Sequence, residues 1–303
     1  MELKKRFFRS LIYYALRGVK CVGWLLPRQW NLWVGAQIGL LGYGVLRAER
    51  RKSIKNLELA FQSEKSAEEL RGINRRVFVN QGRNLFELFW LARVSPSELL
   101  QQVHFQGMEH MQRAYQRGNG VLLVTGHIGN WELMAAAVAA AGYPLWVVAA
   151  PLYDPRLDGV VAGIRKRYGV RTVYRHHPSA RRTILRVIEK GEVMGLLIDQ
   201  DTRVKGVFVD FFGRPAYTTS SAASLALRSE AEVVIGYIVR QQNNSLTIAF
   251  RPALLPLRSV KRAEELVANT QLYTSVLEDI VRKYPEQWTW MHQRWKTIKR
   301  AHN

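Results

Sequence analysis

From residue 121 onward, short apolar runs alternate with longer segments whose apolar residues recur every three to four positions. The runs predict strands at 121–125, 145–149, 171–174, 193–199, 233–239 and 246–251. The longer segments predict helices between the first five strands, at 131–141, 155–168, 180–190 and 220–230, and a closing helix from about 260 to 283 that Pro285 terminates. Such alternation predicts an α/β fold with a largely parallel central sheet flanked by helices on both faces. The last strand follows the turn Gln242-Asn243-Asn244-Ser245 and reads as an antiparallel edge hairpin. Upstream, residues 51–93 read as helical with an interruption near 62–65, after which Ser66 can cap the next helix. Ser95-Pro96-Ser97-Glu98 opens a further short helix, with Pro96 tolerated in its first turn. No linker rich in Pro, Gly or Ser divides the chain, and no internal repeat is visible.

The first fifty residues follow a different pattern. Residues 7–26 are apolar but carry Arg9, Arg17 and Lys20, as an amphipathic interfacial helix would. Residues 30–46 hold no charge over 17 positions. At 1.5 Å per residue that is about 25 Å, short of a ~30 Å hydrocarbon core. Arg28 stands on one side; Arg47, Arg50, Arg51 and Lys52 stand on the other. The length of the stretch and the absence of a small-x-small site argue against a cleaved signal peptide. Residues 1–50 are therefore taken as a membrane-anchoring helical segment, spanning or lying flat, and 51–303 as the domain body on the cytoplasmic side. The competing reading is a buried core helix, since Gly35, Gly39, Gly42 and Gly44 permit close packing in either setting.

Charge narrows the partners. Among 303 residues, 45 Lys and Arg stand against 24 Asp and Glu, a net charge of +21. Such a field attracts nucleic acid, anionic phospholipid headgroups or an acidic carrier protein. The single cysteine, Cys21, excludes an internal disulfide and a cysteine-based zinc site.

Chemistry concentrates in Val121 to Glu132, VLLVTGHIGNWE. A buried strand breaks at Gly126, His127 follows, Gly129 and Asn130 turn the chain, and a helix starts at Trp131. Two residues five apart within one helix would point about 140° apart. His127 instead precedes the helix while Glu132 lies in its first turn, so the two side chains can converge on one cavity. Imidazole titrates near neutral pH, and a carboxylate beside it can orient the ring and support its protonated form. Taken alone, the pair also fits a hydrogen-bonded loop histidine and a helix-start charge. Asp199 ends the apolar run GLLIDQD and should open onto the same carboxyl edge of the sheet, where open α/β sheets place their clefts.

HIGNWE resembles the HX4D/E motif of the lysophospholipid acyltransferase superfamily, and three further blocks resemble its lipid A biosynthesis (late, lauroyl or myristoyl type) family. These are Arg50-Arg51 with Asn56-Leu57 and Ala60-Phe61; Ile198-Asp199-Gln200-Asp201 with Gly206 to Val209 and Phe211 to Ala216; and Pro285-Glu286-Gln287-Trp288 with Trp290 to Lys296. The resemblance implies a glycerol-phosphate-acyltransferase-like fold and transfer of a fatty acyl chain from an acyl carrier thioester to a hydroxyl of lipid A or its precursor. It makes His127 the general base, supported by Glu132. Arg165, Asp199 and Asn130 become substrate-binding candidates, with Asp201 behind them, and Phe208, Phe211 and Phe212 candidates for the acyl groove, though aromatic runs of this kind often serve only as core. The implied partners are an acidic acyl carrier protein (coenzyme A being the other donor form), a glycolipid acceptor and the bacterial inner membrane; no cofactor and no metal are expected.

One departure bears on the acceptor. Where family members commonly carry Tyr-Arg-Pro after the second strand, this chain has Ala149-Ala150-Pro151. Another glycolipid, such as a phosphatidylinositol mannoside, thus stays open as acceptor, and Arg156 or Arg175 as a substitute contact. Residues 165–186 include eight Lys and Arg and no acid; this run suits a carrier protein or a phosphorylated headgroup, or is a solvated face. A basic membrane-surface or nucleic-acid binding module is the reading from another class. It lacks a nucleic-acid motif, and a metal hydrolase would need further spaced ligands beyond His127 and Glu132.

Overall fold

The computed structural model describes residues 25–62, 64–152, 154–259 and 261–298. Cys21 and nearly all of the expected interfacial helix at 7–26 lie outside the described residues. The elements run α1 (Arg28–Val45), α2 (Arg47–Phe61), α3 (Ala67–Leu91), α4 (Pro96–Gln101), β1 (Val103–Gln106), α5 (Met108–Gln116), β2 (Val121–Thr125), α6 (Trp131–Ala140), β3 (Leu145–Ala149), α7 (Pro155–Arg167), β4 (Arg171–Tyr174), α8 (Ala180–Glu189), β5 (Val193–Leu197), β6 (Gly206–Phe211), β7 (Arg214–Thr219), α9 (Ser221–Ala226), β8 (Glu232–Arg240), β9 (Leu246–Phe250) and α10 (Arg262–Lys283). A 3-10 turn at Pro285–Gln287 leads into the C-terminal strap.

Seven strands form one sheet in the order β1-β9-β8-β2-β5-β3-β4. The run β8-β2-β5-β3-β4 is parallel, β8 and β9 pair antiparallel, and β1 pairs parallel with β9. β2 lies mid-sheet and is buried on both faces, so it reads as an uninterrupted apolar run. Its side chains alternate: Leu122 and Val124 join a core with α2, α8, α9 and α10, while Val121 and Leu123 join one with α4, α5, α6 and α7.

The predicted helices and strands are found, most with ends shifted by a residue or two. The predicted strand at 193–199 stops at Leu197, and the predicted helix at 220–230 shortens to α9. β9 forms the expected antiparallel hairpin with β8, but it is not an edge, because the unanticipated strand β1 covers it. A separate two-stranded hairpin, β6 and β7, was also not anticipated. Both α3 and α4 start with capping boxes, Ser66 with Glu69 and Ser95 with Glu98.

None of the described helices is long and apolar enough to cross a membrane. α1 packs against α3 through a close backbone approach. A Cβ at Gly39 would lie 2.3 Å from the Phe78 carbonyl oxygen, and one at Gly82 would lie 2.1 Å from that of Gly35. The opposite face of α1 leaves Trp30, Trp33, Ile38, Leu41 and Val45 exposed.

Candidate active site

Strand register explains which side chains meet. Thr125 at the end of β2 stands opposite Leu197 at the end of β5. The Ile198 N–H donates to the Thr125 carbonyl at 3.2 Å, prolonging the pairing by one residue. His127 and Asp199, each two residues beyond its strand, therefore emerge side by side at the carboxyl edge.

Asp199 Oδ1 lies 2.8 Å from His127 Nδ1. Its Oδ2 accepts from the His127 backbone N–H at 2.6 Å and from the Trp288 indole N–H at 2.7 Å. Gly126 makes room for this approach: a Cβ there would sit 2.9 Å from Asp199 Oδ2. Burial pushes the Asp199 carboxyl up, but the positive charge His127 can carry and the three donors outweigh it and hold the group at about 2. An ionised Asp199 can only accept, so Nδ1 donates its N–H to it, which leaves the Nε2 lone pair as the ring's acceptor. The His127 side chain is 21% exposed, and Trp131 meets its ring edge-on at 4.8 Å between centroids.

Glu132 was expected to orient His127, and the structure gives that position to Asp199. Glu132 is instead gripped by Arg165, with Nε to Oε2 at 2.8 Å and Nη2 to Oε1 at 2.6 Å. Arg165 projects from the last turn of α7, and its Nη1 reaches Thr172 Oγ1 at 3.4 Å. The bidentate grip engages both carboxylate oxygens, and Glu132 makes no hydrogen bond to His127. The two side chains keep 15% and 12% exposure for Arg165 and Glu132, so the pair is largely shielded from solvent.

Asn130 was expected to bind substrate and turns out to be internal scaffolding. It is buried; its Oδ1 caps α6 by accepting from the Leu133 N–H at 3.2 Å, and its Nδ2 donates to Asn84 O and Glu87 Oε2. Phe211 and Phe212, expected in an acyl groove, are each 1% exposed and belong to the core, packed on Trp288, Trp290, Trp295 and Phe61. The reason is geometric: they close the β6–β7 hairpin over α10 and α2, where apolar surface is buried on all sides. Phe208, half-buried against Tyr217, lies farther up the same hairpin. Of the proposed substitute contacts, Arg156 pairs with Asp154, and Arg175 donates to His176 Nε2 at 3.1 Å.

Beneath the turn lies a buried ionic cluster that pattern reading missed. Glu87 has no exposed side-chain surface. It accepts from Arg240 through Nη1 at 2.8 Å and Nη2 at 2.5 Å, and from Arg28 Nη2 at 2.8 Å. Burial again pushes Glu87 up, and the two guanidiniums with Asn130 overcome it, holding the carboxyl at about 2. Asn84 Nδ2 donates to the Gly129 carbonyl at 2.7 Å, fixing the turn from below. The signal available was one acid inside the apolar run NLFELFWL.

The C-terminal strap holds the turn from the other side. The Gly129 N–H donates to the Gln287 carbonyl at 2.9 Å, and the Thr289 N–H to that of His127 at 3.2 Å. Asp201 is buried and taken by Thr297, whose N–H and hydroxyl reach it at 2.9 and 3.0 Å. Among the described residues, no group of three or more His, Cys, Asp or Glu could hold a metal ion.

Comparison with known proteins matches residues 2–297 to the family model described as bacterial lipid A biosynthesis acyltransferase. A lipid A biosynthesis acyltransferase of Haemophilus influenzae is 25% identical over 300 residues, covering 91% of each chain. A lipid A biosynthesis palmitoleoyltransferase of Escherichia coli K12 is 28% identical over 280 residues, covering 90% of this chain and 87% of that one. A lipid A biosynthesis lauroyltransferase of the same strain is 25% identical over 299 residues, covering 90% and 94%.

Proposed function

The chain belongs to the bacterial lipid A biosynthesis acyltransferase family and is an O-acyltransferase, and from that premise we propose that it carries a fatty acyl chain from an acyl carrier thioester to a hydroxyl of lipid A or its precursor, with His127 as general base. The Asp199–His127 hydrogen bond at 2.8 Å is the observation that supports this reading most directly. With Nδ1–H turned to the carboxylate, Nε2 accepts the acceptor's hydroxyl proton as its oxygen attacks the thioester carbonyl. The tetrahedral intermediate then collapses, the C–S bond breaks, and the imidazolium returns its proton to the leaving thiolate. Asp199 favours the imidazolium and fixes the tautomer. No acyl-enzyme is needed. Glu132 and Arg165, locked together, position the acceptor in this reading, and the eight cations between 165 and 186 suit an acidic carrier protein.

The exposed apolar face of α1 supports a membrane seat in which this helix lies flat at the cytoplasmic surface of the inner membrane. Arg47 and Arg51, exposed in the first turns of α2, follow directly on α1, where anionic headgroups would meet them.

Purified His127→Ala and Glu132→Ala proteins, assayed with an acyl carrier thioester and a lipid A precursor, test the chemistry. Loss of product from both, with unchanged circular dichroism, is expected. Wild-type turnover by His127→Ala would remove the mechanism. Mass spectrometry of lipid A from cells with and without the gene tests the acceptor, and an unchanged acyl pattern would remove lipid A.

A further inference from the structure

A cavity of about 200 Å³ lies between α2 and the C-terminal strap, lined by Lys52, Lys55, Asn56, Leu59, Gln293, Trp295 and Lys296. Three ammonium groups face it and no carboxylate lines it. Lys52 is paired with Glu49 at 2.8 Å, and Lys296 has Asp201 at 3.9 Å. Lys55 is exposed and forms no ion pair among the described residues. Trp295 adds an independent observation: its indole N–H is buried and has no hydrogen-bond partner among the described residues. A buried donor without an acceptor is uncommon, and a bound ligand is one cause. A concave site lined by three lysines, with an unpartnered N–H donor on one of its lining residues, suits a phosphate group.

Two links tie this cavity to the reaction. Asn56 Nδ2 donates to the Trp290 and His292 carbonyls at 2.7 and 2.6 Å, joining α2 to the strap whose Trp288 holds Asp199. Lys296 approaches Asp201, two residues past Asp199.

We propose that this cavity binds a phosphate group on the glycolipid acceptor and so sets which hydroxyl reaches His127. The proposal rests on the acceptor reading above. The donor carrier's pantetheine arm also bears a phosphate, and the experiment separates the two sources.

Lys55→Ala, Lys296→Ala and the double variant are assayed with a phosphorylated lipid A precursor and with the same precursor after phosphatase treatment. Loss of charge-assisted contacts should raise the double variant's KM for the phosphorylated acceptor roughly tenfold. Its kcat and donor KM should stay within about twofold of wild type, and its KM for the dephosphorylated acceptor should not change. An equal loss on both acceptors, or a rise in donor KM instead, overturns the proposal. A second measurement does not need turnover. The Trp295 indole resonance in a 15N–1H spectrum, identified by its absence in Trp295→Phe, should shift with glucosamine 1-phosphate and not with glucosamine. No shift with either overturns the site. Wild-type protein that acylates neither precursor would count against the acceptor reading, while the titration still decides the cavity.

Discussion

Replacing Asp199 with asparagine separates the two carboxylates near the turn. Oδ2 of Asp199 faces two donors, the His127 backbone N–H and the Trp288 indole, so the asparagine carbonyl must keep that place. The amide NH2 then occupies the position of Oδ1, 2.8 Å from Nδ1. Nδ1 is forced to accept, the ring proton moves to Nε2, and the atom meant to take the hydroxyl proton already carries one. Lost imidazolium support adds to the wrong tautomer. An analogous change in another histidine–carboxylate pair costs about 10⁴ in rate, or about 5 kcal/mol of barrier. Asp199→Asn should therefore lower kcat by roughly 10³ to 10⁴ with acceptor and donor KM little changed. The assay is transfer from a labelled acyl carrier thioester to a lipid A precursor in detergent micelles, at saturating substrates. Stability supplies a second readout. The Asp199 carboxyl sits at about 2 instead of its ordinary 3.8, so its ionisation contributes on the order of 2 kcal/mol to folding. Because the folded value is depressed, that contribution is present above pH 4 and lost as pH falls towards 2. The variant should lack it at neutral pH and show a flatter acid limb. A kcat within about tenfold of wild type would refute the argument and return the orienting role to Glu132.

Glu87→Gln removes the charge that two buried guanidiniums share, and should lower the unfolding free energy in urea by about 3 to 5 kcal/mol; a loss under about 1 kcal/mol would mean the cluster is dispensable. Glu87 is held at about 2, below its ordinary 4.5, so the wild type should lose this stabilisation as pH falls from 4.5 towards 2, and the variant should not. Trp33→Glu with Leu41→Glu, on the exposed face of α1, should weaken flotation with anionic phospholipid vesicles at least about tenfold, since each apolar side chain contributes about 1.5 to 3 kcal/mol when buried. Unchanged flotation would remove α1 from the membrane contact.

Much of the fold was legible because periodicity reports which faces are buried. The interiors of β2, β5 and β8 are apolar, with polar residues only at strand ends (Thr125, Glu232, Arg240), and two covered faces demand that. β1 and the β6–β7 hairpin escaped because VHFQ is half-exposed and GVFVDF reads equally as aromatic core or as groove. The site was legible as a place more than as a set of contacts. His127 meets Asp199 and Glu132 meets Arg165, pairings the sequence could not assign. Trp288 was visible as part of a motif, but nothing local announced that its indole would reach Asp199 across 89 positions.

By itself, the sequence determined an alternating α/β chain, a strongly cationic surface, an apolar N-terminal stretch and a histidine at a strand-to-helix turn, because these depend on local period, composition and turn chemistry. Only the tertiary structure decided that Asp199 partners His127 while Arg165 takes Glu132. That choice depends on the β2–β5 register, and a one-residue slip would turn Asp199 to the opposite face of the sheet. Burial likewise decided that Asn130, Phe211 and Phe212 serve the interior, since a side chain's partners depend on what the rest of the chain folds against it.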